Sequence, residues 1–338
     1  MNDKTVAVLG GGSWGTVLAN LAAERGFKTT LWMRDIEVVE QVNLEKQNSK
    51  YLPGYILSDN LLATNEIETI SSSDLVIFCI PSDSFREVAQ KAAPHIRATS
   101  HLVTATKGVE EDGFILMSHI LSEVFGDERS VGVLSGPNLA SEISNGQITG
   151  TVIASSSEDL QSIFVEIFSS DSFRVYVNKD IYGVEMGGAL KNIYAIACGI
   201  ADGLDSGENT IGMIMTRGLA EMSRLAIELG ANPQTFLGLS GVGDLITTCA
   251  SPLSRNHRIG KCIGKGLSVE EAKKEIGQTT EGLKTLKVVW EKAKERGVNM
   301  PIVDSLYKII YEGEELNNSI QKVLGTDQLK DVEFFNNI

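Results

Sequence analysis

Positive charge is in short supply in this 338-residue chain, which sets 30 lysines and arginines against 44 aspartates and glutamates for a net charge of −14. Such a field disfavours nucleic acid and anionic membrane surfaces as partners. An anionic ligand must then be caught by local cations, so each cation in a glycine-rich or apolar setting is informative. Cysteine is scarce as well: Cys79, Cys198, Cys249 and Cys262 lie far apart, with no C-x-x-C pair. That spacing excludes a disulfide framework and a thiolate metal cluster, and it points to a cytoplasmic protein. The histidines (His95, His101, His119, His257) are scattered without metal-ligand spacing, so no metal is expected. Long apolar runs are missing too. The first one breaks at Gly10, before a secretory hydrophobic region could form. The most apolar long stretch, residues 181–204, contains Glu185, Lys191 and Asp202, too many charges for a membrane span. Internal repeats and low-complexity segments are absent.

What the chain does have is a glycine turn in the right surroundings. Thr5–Leu9 is a short β-branched, apolar run, and Gly10, Gly12 and Gly15 follow at G-x-G-x-x-G spacing. An apolar helical pattern (Val17, Leu18, Leu21, Ala22) comes next. Strand, glycine turn and helix together distinguish a dinucleotide fingerprint from a chance match. Gly10 permits the turn, Gly12 lets the backbone approach a pyrophosphate, and Gly15 lets helix and strand pack closely. Ser13 and Trp14 open the helix, whose first N–H groups and dipole suit phosphate. Residues 29–33 form the predicted second strand, and Arg34-Asp35 follows it. A guanidinium there suits a 2′-phosphate, so NADP is expected to be accepted beside NAD. Arg34 as a solvated loop residue, with Asp35 capping the next helix, is the plain alternative.

Further short apolar strands are expected at 75–80, 101–106, 131–134, 151–154 and 174–177, alternating with helical patterns. This is the texture of an α/β domain with a mostly parallel sheet covered on both faces. Lys107 and the 135–138 segment Ser-Gly-Pro-Asn lie after strands, on the edge where such sheets bind ligands. From about residue 179 the pattern turns helical: 181–204, 211–229, 255–264, 269–276, 283–296 and 303–311. The expected architecture is a Rossmann-type N-terminal domain over residues 1–178 and an all-α C-terminal domain over 179–338. A site between the two halves follows from that plan.

Chemistry concentrates on a few residues of the second half. Lys191 stands mid-helix in apolar surroundings, and helical side chains lean back over positions three and four earlier, here Gly188 and Gly187. Those glycines either open an approach to a desolvated ammonium suited to proton transfer or serve close helix packing. Ser254-Arg255-Asn256 opens a helix after Pro252, combining a Ser N-cap, an arginine fork and first-turn N–H groups into a phosphate-sized anion site. Viewed alone it is also an ordinary cap with an exposed arginine. Asp244, on a glycine loop, can ion-pair the lysine or cap a helix starting at Leu245. Cys249 lacks the setting of a nucleophile, and His101 and His257 read as structural.

Taken in order, GGGSWGT (10–16), LWMRD (31–35), KYLPG (50–54), ATKG (105–108), SGPNLASE (135–142), GGALKNIYAIACGIADGL (187–204), TRGLAEMSRLA (216–226), GVGDLITTC (241–249), SRNHRIG (254–260) and TEGLKT (280–285) make the chain resemble the NAD(P)-dependent sn-glycerol-3-phosphate dehydrogenases of the bacterial soluble type. The resemblance runs through nearly the whole chain. It implies reversible reduction of dihydroxyacetone phosphate to sn-glycerol 3-phosphate for phospholipid synthesis. It also implies that Lys191 is the proton donor and acceptor, with Lys107, Asn192 and Asp244 as its polar shell. Substrate contacts are then Lys107, Gly136, Asn138, Lys191, Asp244, Ser254, Arg255 and Asn256. Cofactor contacts are Gly10, Gly12, Ser13, Trp14, Gly15, Arg34, Lys107, Ala140, Arg255, Thr279 and Glu281. A homodimer is a further expectation. The chain departs from the family pattern at Asn138, where Ser or Thr is frequent, at Leu139, at residues 148–150 and at Thr279. Two other plans share parts of this layout: a two-domain 3-hydroxy acid or phosphogluconate-type dehydrogenase, and a non-catalytic nucleotide sensor built on the first 180 residues or so.

Overall fold

A computed structural model describes residues 4–111, 113–277 and 280–316. The chain forms two units, Met1–Thr106 with Leu116–Ile181 and Lys107–Ile115 with Tyr182–Ile338.

The strands in chain order are β1 (Thr5–Leu9), β2 (Lys28–Trp32), β3 (Leu61–Thr64), β4 (Leu75–Phe78), β5 (His101–Thr104), β6 (Val109–Glu110), β7 (Ile115–Leu116), β8 (Val131–Ser135), β9 (Thr149–Ser155) and β10 (Phe173–Asn178). Eight of them build the sheet of the first unit in the order β10-β9-β8-β5-β4-β1-β2-β3, and β6 and β7 form a separate ribbon. Every neighbouring pair in the sheet is parallel except β8 with β9. At the centre Val8 lies opposite Leu31 on one side and Ile77 on the other. All of β4 and all of β1 after Thr5 are buried, as expected where helices cover both faces of a parallel sheet.

Those helices are α1 (Ser13–Glu24), α2 (Ile36–Glu45), α3 (Ser82–Ala92), α4 (Met117–Phe125), α5 (Ala140–Ser144) and α6 (Glu158–Phe168). Val17, Leu18, Phe27, Leu31, Ile77 and Phe164 are among the buried residues of their shared core. The edge strand β3 is absent from the sequence-based expectation. Only Leu61 and Ala63 of its four residues are buried while Leu62 is exposed, too short an alternation to read by pattern. The strand expected over 75–80 ends at Phe78, and that over 101–106 ends at Thr104.

The second unit holds α7 (Ile181–Gly203), α8 (Glu208–Glu228), α9 (Asp244–Ala250), α10 (Arg255–Gly264), α11 (Val269–Ile276), α12 (Glu281–Arg296) and α13 (Pro301–Tyr307). α7 is buried without interruption from Gly183 to Ala201, which suits a helix apolar on all sides. It crosses α10 through reciprocal glycines. A methyl group on Gly199 or Gly203 would run into the carbonyls of His257 or Lys261, and one on Gly260 or Gly264 into those of Ile196 or Ile200. Only glycine lets two backbones approach so closely. α10 and α11 begin at Ser caps: Ser254 Oγ accepts from the His257 N–H, and Ser268 forms a capping box with Glu271. A π-helical turn, Leu239–Gly243, leads into α9. Asp244 is therefore the first residue of α9, one position before the expected start.

Candidate functional site

In the first unit the glycine turn joins β1 to α1. Gly10 has φ +120°, and a Cβ there would strike the Cys79 carbonyl; one on Gly15 would strike the Gly10 carbonyl. A Cβ on Gly12 would meet nothing within 4 Å. Gly10 and Gly15 are thus required by backbone contacts inside the protein, whereas Gly12 leaves bare space ahead of α1. Gly12 is also the N-cap of α1 and supplies no side-chain cap bond, so the helix start suits a phosphate. That open cradle fits a dinucleotide pyrophosphate.

The turn is braced from outside. Ser13 Oγ donates to the Tyr51 carbonyl (2.6 Å), and Asn48 Nδ2 donates to the Gly11 carbonyl (2.9 Å) and to Thr16 Oγ1 (2.8 Å). Trp14 packs against the core with its indole N–H buried and unpartnered. Arg34 is exposed just beyond β2. Asp35 takes the N-cap position of α2 without a side-chain cap bond and pairs with Lys50 at 2.7 Å. Sequence spacing alone did not mark Asn48, since nothing local predicts that a buried amide reaches a turn 37 residues away.

Gly136 follows β8 with φ +137°, and a Cβ there would come within 3.2 Å of Thr151 Cα. Asn138 Nδ2 donates to Thr151 Oγ1 (3.0 Å), while its Oδ1 is buried without a partner. Ala140 begins α5.

The second unit brings three charged groups together. Lys191 donates to Asp244 Oδ1, and Lys107 donates to Asp244 Oδ2 at 2.7 Å. Lys191 also donates to Thr248 Oγ1 at 2.7 Å. Asp244 is 1% exposed and Lys191 5%, so leaving either charge without its partner would be strongly unfavourable. Burial is the largest influence on Lys191 and brings its pKa down to about 7; Asp244 opposes the shift and the neighbouring Lys107 cation reinforces it. Thr248 is absent from the sequence-based expectation: it follows Asp244 by four positions on one helix face, but nothing local says that this face meets Lys191, 57 residues away.

The two explanations for the glycines beside Lys191 separate at Gly187. A Cβ there would strike the Ser240 carbonyl, so Gly187 serves close packing against the π turn and opens no approach to the ammonium.

Asn192, Asn256 and Gly282 form a relay: Asn256 Nδ2 donates to Asn192 Oδ1 (2.9 Å), and the Gly282 N–H donates to Asn256 Oδ1 (3.1 Å). It ties α7, α10 and α12 together at the start of α10. There Ser254 is buried as the cap and Arg255 is exposed as the first helical residue. Crowding around the Arg255 guanidinium lowers its pKa, which the Glu281 carboxylate opposes. An arginine stays cationic regardless. Glu281 opens α12; Thr279 lies outside the described residues. His257 pairs with Asp202 at 3.0 Å and His101 with Asp159 at 3.1 Å, both structural contacts. Cys249 is fully buried, and the adjoining Cys198 thiol and burial push its pKa up, away from nucleophile chemistry. Among the described residues no cluster of His, Cys, Asp and Glu could hold a metal ion, and no helix is long and apolar enough to cross a membrane.

Comparisons with known proteins agree across both units. Residues 5–161 match the family model for the NAD-dependent glycerol-3-phosphate dehydrogenase N-terminus, and residues 180–321 match that for its C-terminus. The chain is 50% identical over 335 residues to a glycerol-3-phosphate dehydrogenase [NAD(P)+] of Saccharophagus degradans, covering 98% of this chain and 93% of that protein. It is 49% identical to the Teredinibacter turnerae protein of the same name, covering 98% of each. Among solved structures, glycerol-3-phosphate dehydrogenase from Coxiella burnetii matches with TM-score 0.92 and 35% identity, covering 96% of this chain and 99% of that one.

Proposed function

Because the chain belongs to the NAD-dependent glycerol-3-phosphate dehydrogenase family, we propose that the buried Lys191–Asp244–Lys107 cluster is the proton-transfer centre of that reaction. The protein is an NAD(P)-dependent oxidoreductase that interconverts dihydroxyacetone phosphate and sn-glycerol 3-phosphate. Residues 1–178 act as the dinucleotide-binding domain and 179–338 as the substrate and catalytic domain. The reduced nicotinamide, when bound, supplies the hydride for the substrate carbonyl carbon.

The chain's own groups handle charge and position. As negative charge develops on the carbonyl oxygen, Lys191 Nζ gives up a proton to it, and in the reverse direction takes one back. A lowered pKa makes that ammonium a better acid at neutral pH. Lys107 adds positive charge, and Asp244 orients both amines. Arg255, with the Ser254 cap and the Asn256 amide, holds the substrate phosphate, whose binding energy fixes the carbonyl in reacting geometry. Asn192 supports Asn256, and Gly136 and Asn138 add substrate contacts. Gly10, Gly12, Ser13, Trp14, Gly15 and Ala140 hold the dinucleotide, with Arg34 toward its ribose. Lys107, Arg255 and Glu281 are assigned cofactor contacts as well, and Thr279 is assigned one from sequence.

The observation that carries the assignment is the lysine whose ammonium is buried against a carboxylate already shared with a second lysine. A cytoplasmic homodimer supplying glycerol phosphate for phospholipid synthesis, with no nucleic-acid partner, completes the proposal. The test is the rate of NADPH and NADH oxidation with dihydroxyacetone phosphate, set against 3-oxo acids and, in the oxidative direction, 3-hydroxy acids and 6-phosphogluconate. Turnover confined to dihydroxyacetone phosphate is expected; faster turnover of a carboxylate substrate would overturn the assignment.

A further inference from the structure

Lys50 stands outside every role assigned so far, in the segment between α2 and β3. Two ties hold that segment against the glycine turn. On one side of Lys50, Asn48 is 1% exposed and donates to the Gly11 carbonyl and to Thr16. On the other side, the Tyr51 carbonyl accepts from Ser13. Between them Lys50 Nζ reaches Asp35 Oδ2 at 2.7 Å and lies 5.5 Å from the centre of the Tyr51 ring.

Asp35 is where a second strand of this kind delivers its ribose-reading residue. A lone carboxylate there accepts hydrogen bonds from ribose hydroxyls and repels a 2′-phosphate. In this chain Arg34 precedes it and Lys50 is paired with it, so two cations accompany one carboxylate. The hydrogen bond from the Lys50 ammonium also holds the Asp35 carboxyl below its usual range.

We propose that Lys50 is a specificity-determining residue for the cofactor: by pairing with Asp35 it cancels the carboxylate that would reject a 2′-phosphate, and so lets Arg34 receive one. The proposal rests on the dinucleotide reading of the glycine turn. It differs from an ordinary surface ion pair in what it moves. An ion pair that only tethers the segment would affect NADPH and NADH alike, whereas loss of charge cancellation weakens NADPH and not NADH, because only NADPH carries the phosphate that a free carboxylate repels.

The test is the dissociation constants of NADPH and NADH, measured by titration calorimetry at low salt on the full chain and on the variants Lys50→Met, Asp35→Asn and the double variant. Thermal unfolding of each checks that it is folded. Lys50→Met is expected to weaken NADPH relative to NADH about fivefold, the scale of one exposed charge contact. With Asp35→Asn already present, the same change is expected to cost less than half as much, because no carboxylate remains to cancel. Equal weakening of both cofactors would overturn the proposal and leave Lys50 as a tether. An undiminished loss in the Asp35→Asn background would also overturn it, making Lys50 an independent phosphate ligand. An unaltered chain that binds neither cofactor would defeat the dinucleotide reading itself, and this assignment with it.

Discussion

Lys191 on α7 and Asp244 on α9, 53 residues apart in sequence, meet as a buried ion pair whose second carboxylate oxygen is taken by Lys107. Two buried charges and a third, half-buried one leave a net single positive charge when both amines are protonated. An arrangement of that kind stabilises an oxyanion better than a neutral pair could. In the proposed mechanism the carboxylate and the amine have distinct roles, and the two are separable by substitution.

Lys191→Ala should lower kcat in both directions by about 10²–10⁴-fold, the range for a positioned proton-transfer group. KM for dihydroxyacetone phosphate should change much less, as measured by steady-state kinetics. A loss of under tenfold would remove Lys191 from the chemistry.

The pH dependence has a definite sign. With Lys191 as the proposed proton donor, the rate of reduction should fall as pH rises through the lowered Lys191 pKa, and oxidation should gain over the same range. Asp244 raises that pKa against the effect of burial. Asp244→Asn, which removes the charge and keeps the shape, should therefore move the falling limb of reduction to lower pH. Profiles of kcat against pH for the two proteins check this; a limb displaced upward would contradict it.

Arg255→Ala should act mainly on substrate binding. Loss of a charge-assisted phosphate contact is worth about 1.5–3 kcal/mol, or roughly 10- to 150-fold in KM. The kcat change should be smaller than that for Lys191→Ala. Inhibition by inorganic phosphate should weaken in parallel, a readout that a purely structural role for Arg255 would leave alone.

Glycine positions should respond oppositely according to what faces them. Gly199→Ala forces a methyl group onto the His257 carbonyl where α7 meets α10, and should destabilise by about 1–3 kcal/mol. Gly212→Ala on α8 meets nothing within 4 Å and should stabilise by about 0.5–1 kcal/mol. Thermal or urea unfolding of both variants tests the contrast.

Much of this protein is written in short-range signals. The glycine turn could be read because strand, turn and helix are contiguous, each declared by its own few residues. α10 and α11 could be bounded from sequence because a serine opens each. β3 could not, because its burial alternates over only four residues and depends on pairing with β2. Lys191 is conspicuous in the sequence as a charge inside an apolar helix, whereas the purpose of Gly187 depends on its contact with Ser240, which no local pattern carries.

By itself the sequence determined which residue types were present and where local structure would start and stop, since caps, turns and periodicity act within a few residues. Only the tertiary structure decided the partnerships. Thr248 beneath the lysine, both lysines on one carboxylate, Asn48 under the glycine turn and Lys50 on Asp35 all join segments whose separation along the chain carries no signal of contact. The buried contacts exist because burial removes the water that would otherwise satisfy each polar group, which must then find its partner in the protein. Lys50 and Asp35 stay exposed and meet because Asn48 and Tyr51 hold their segment to the glycine turn.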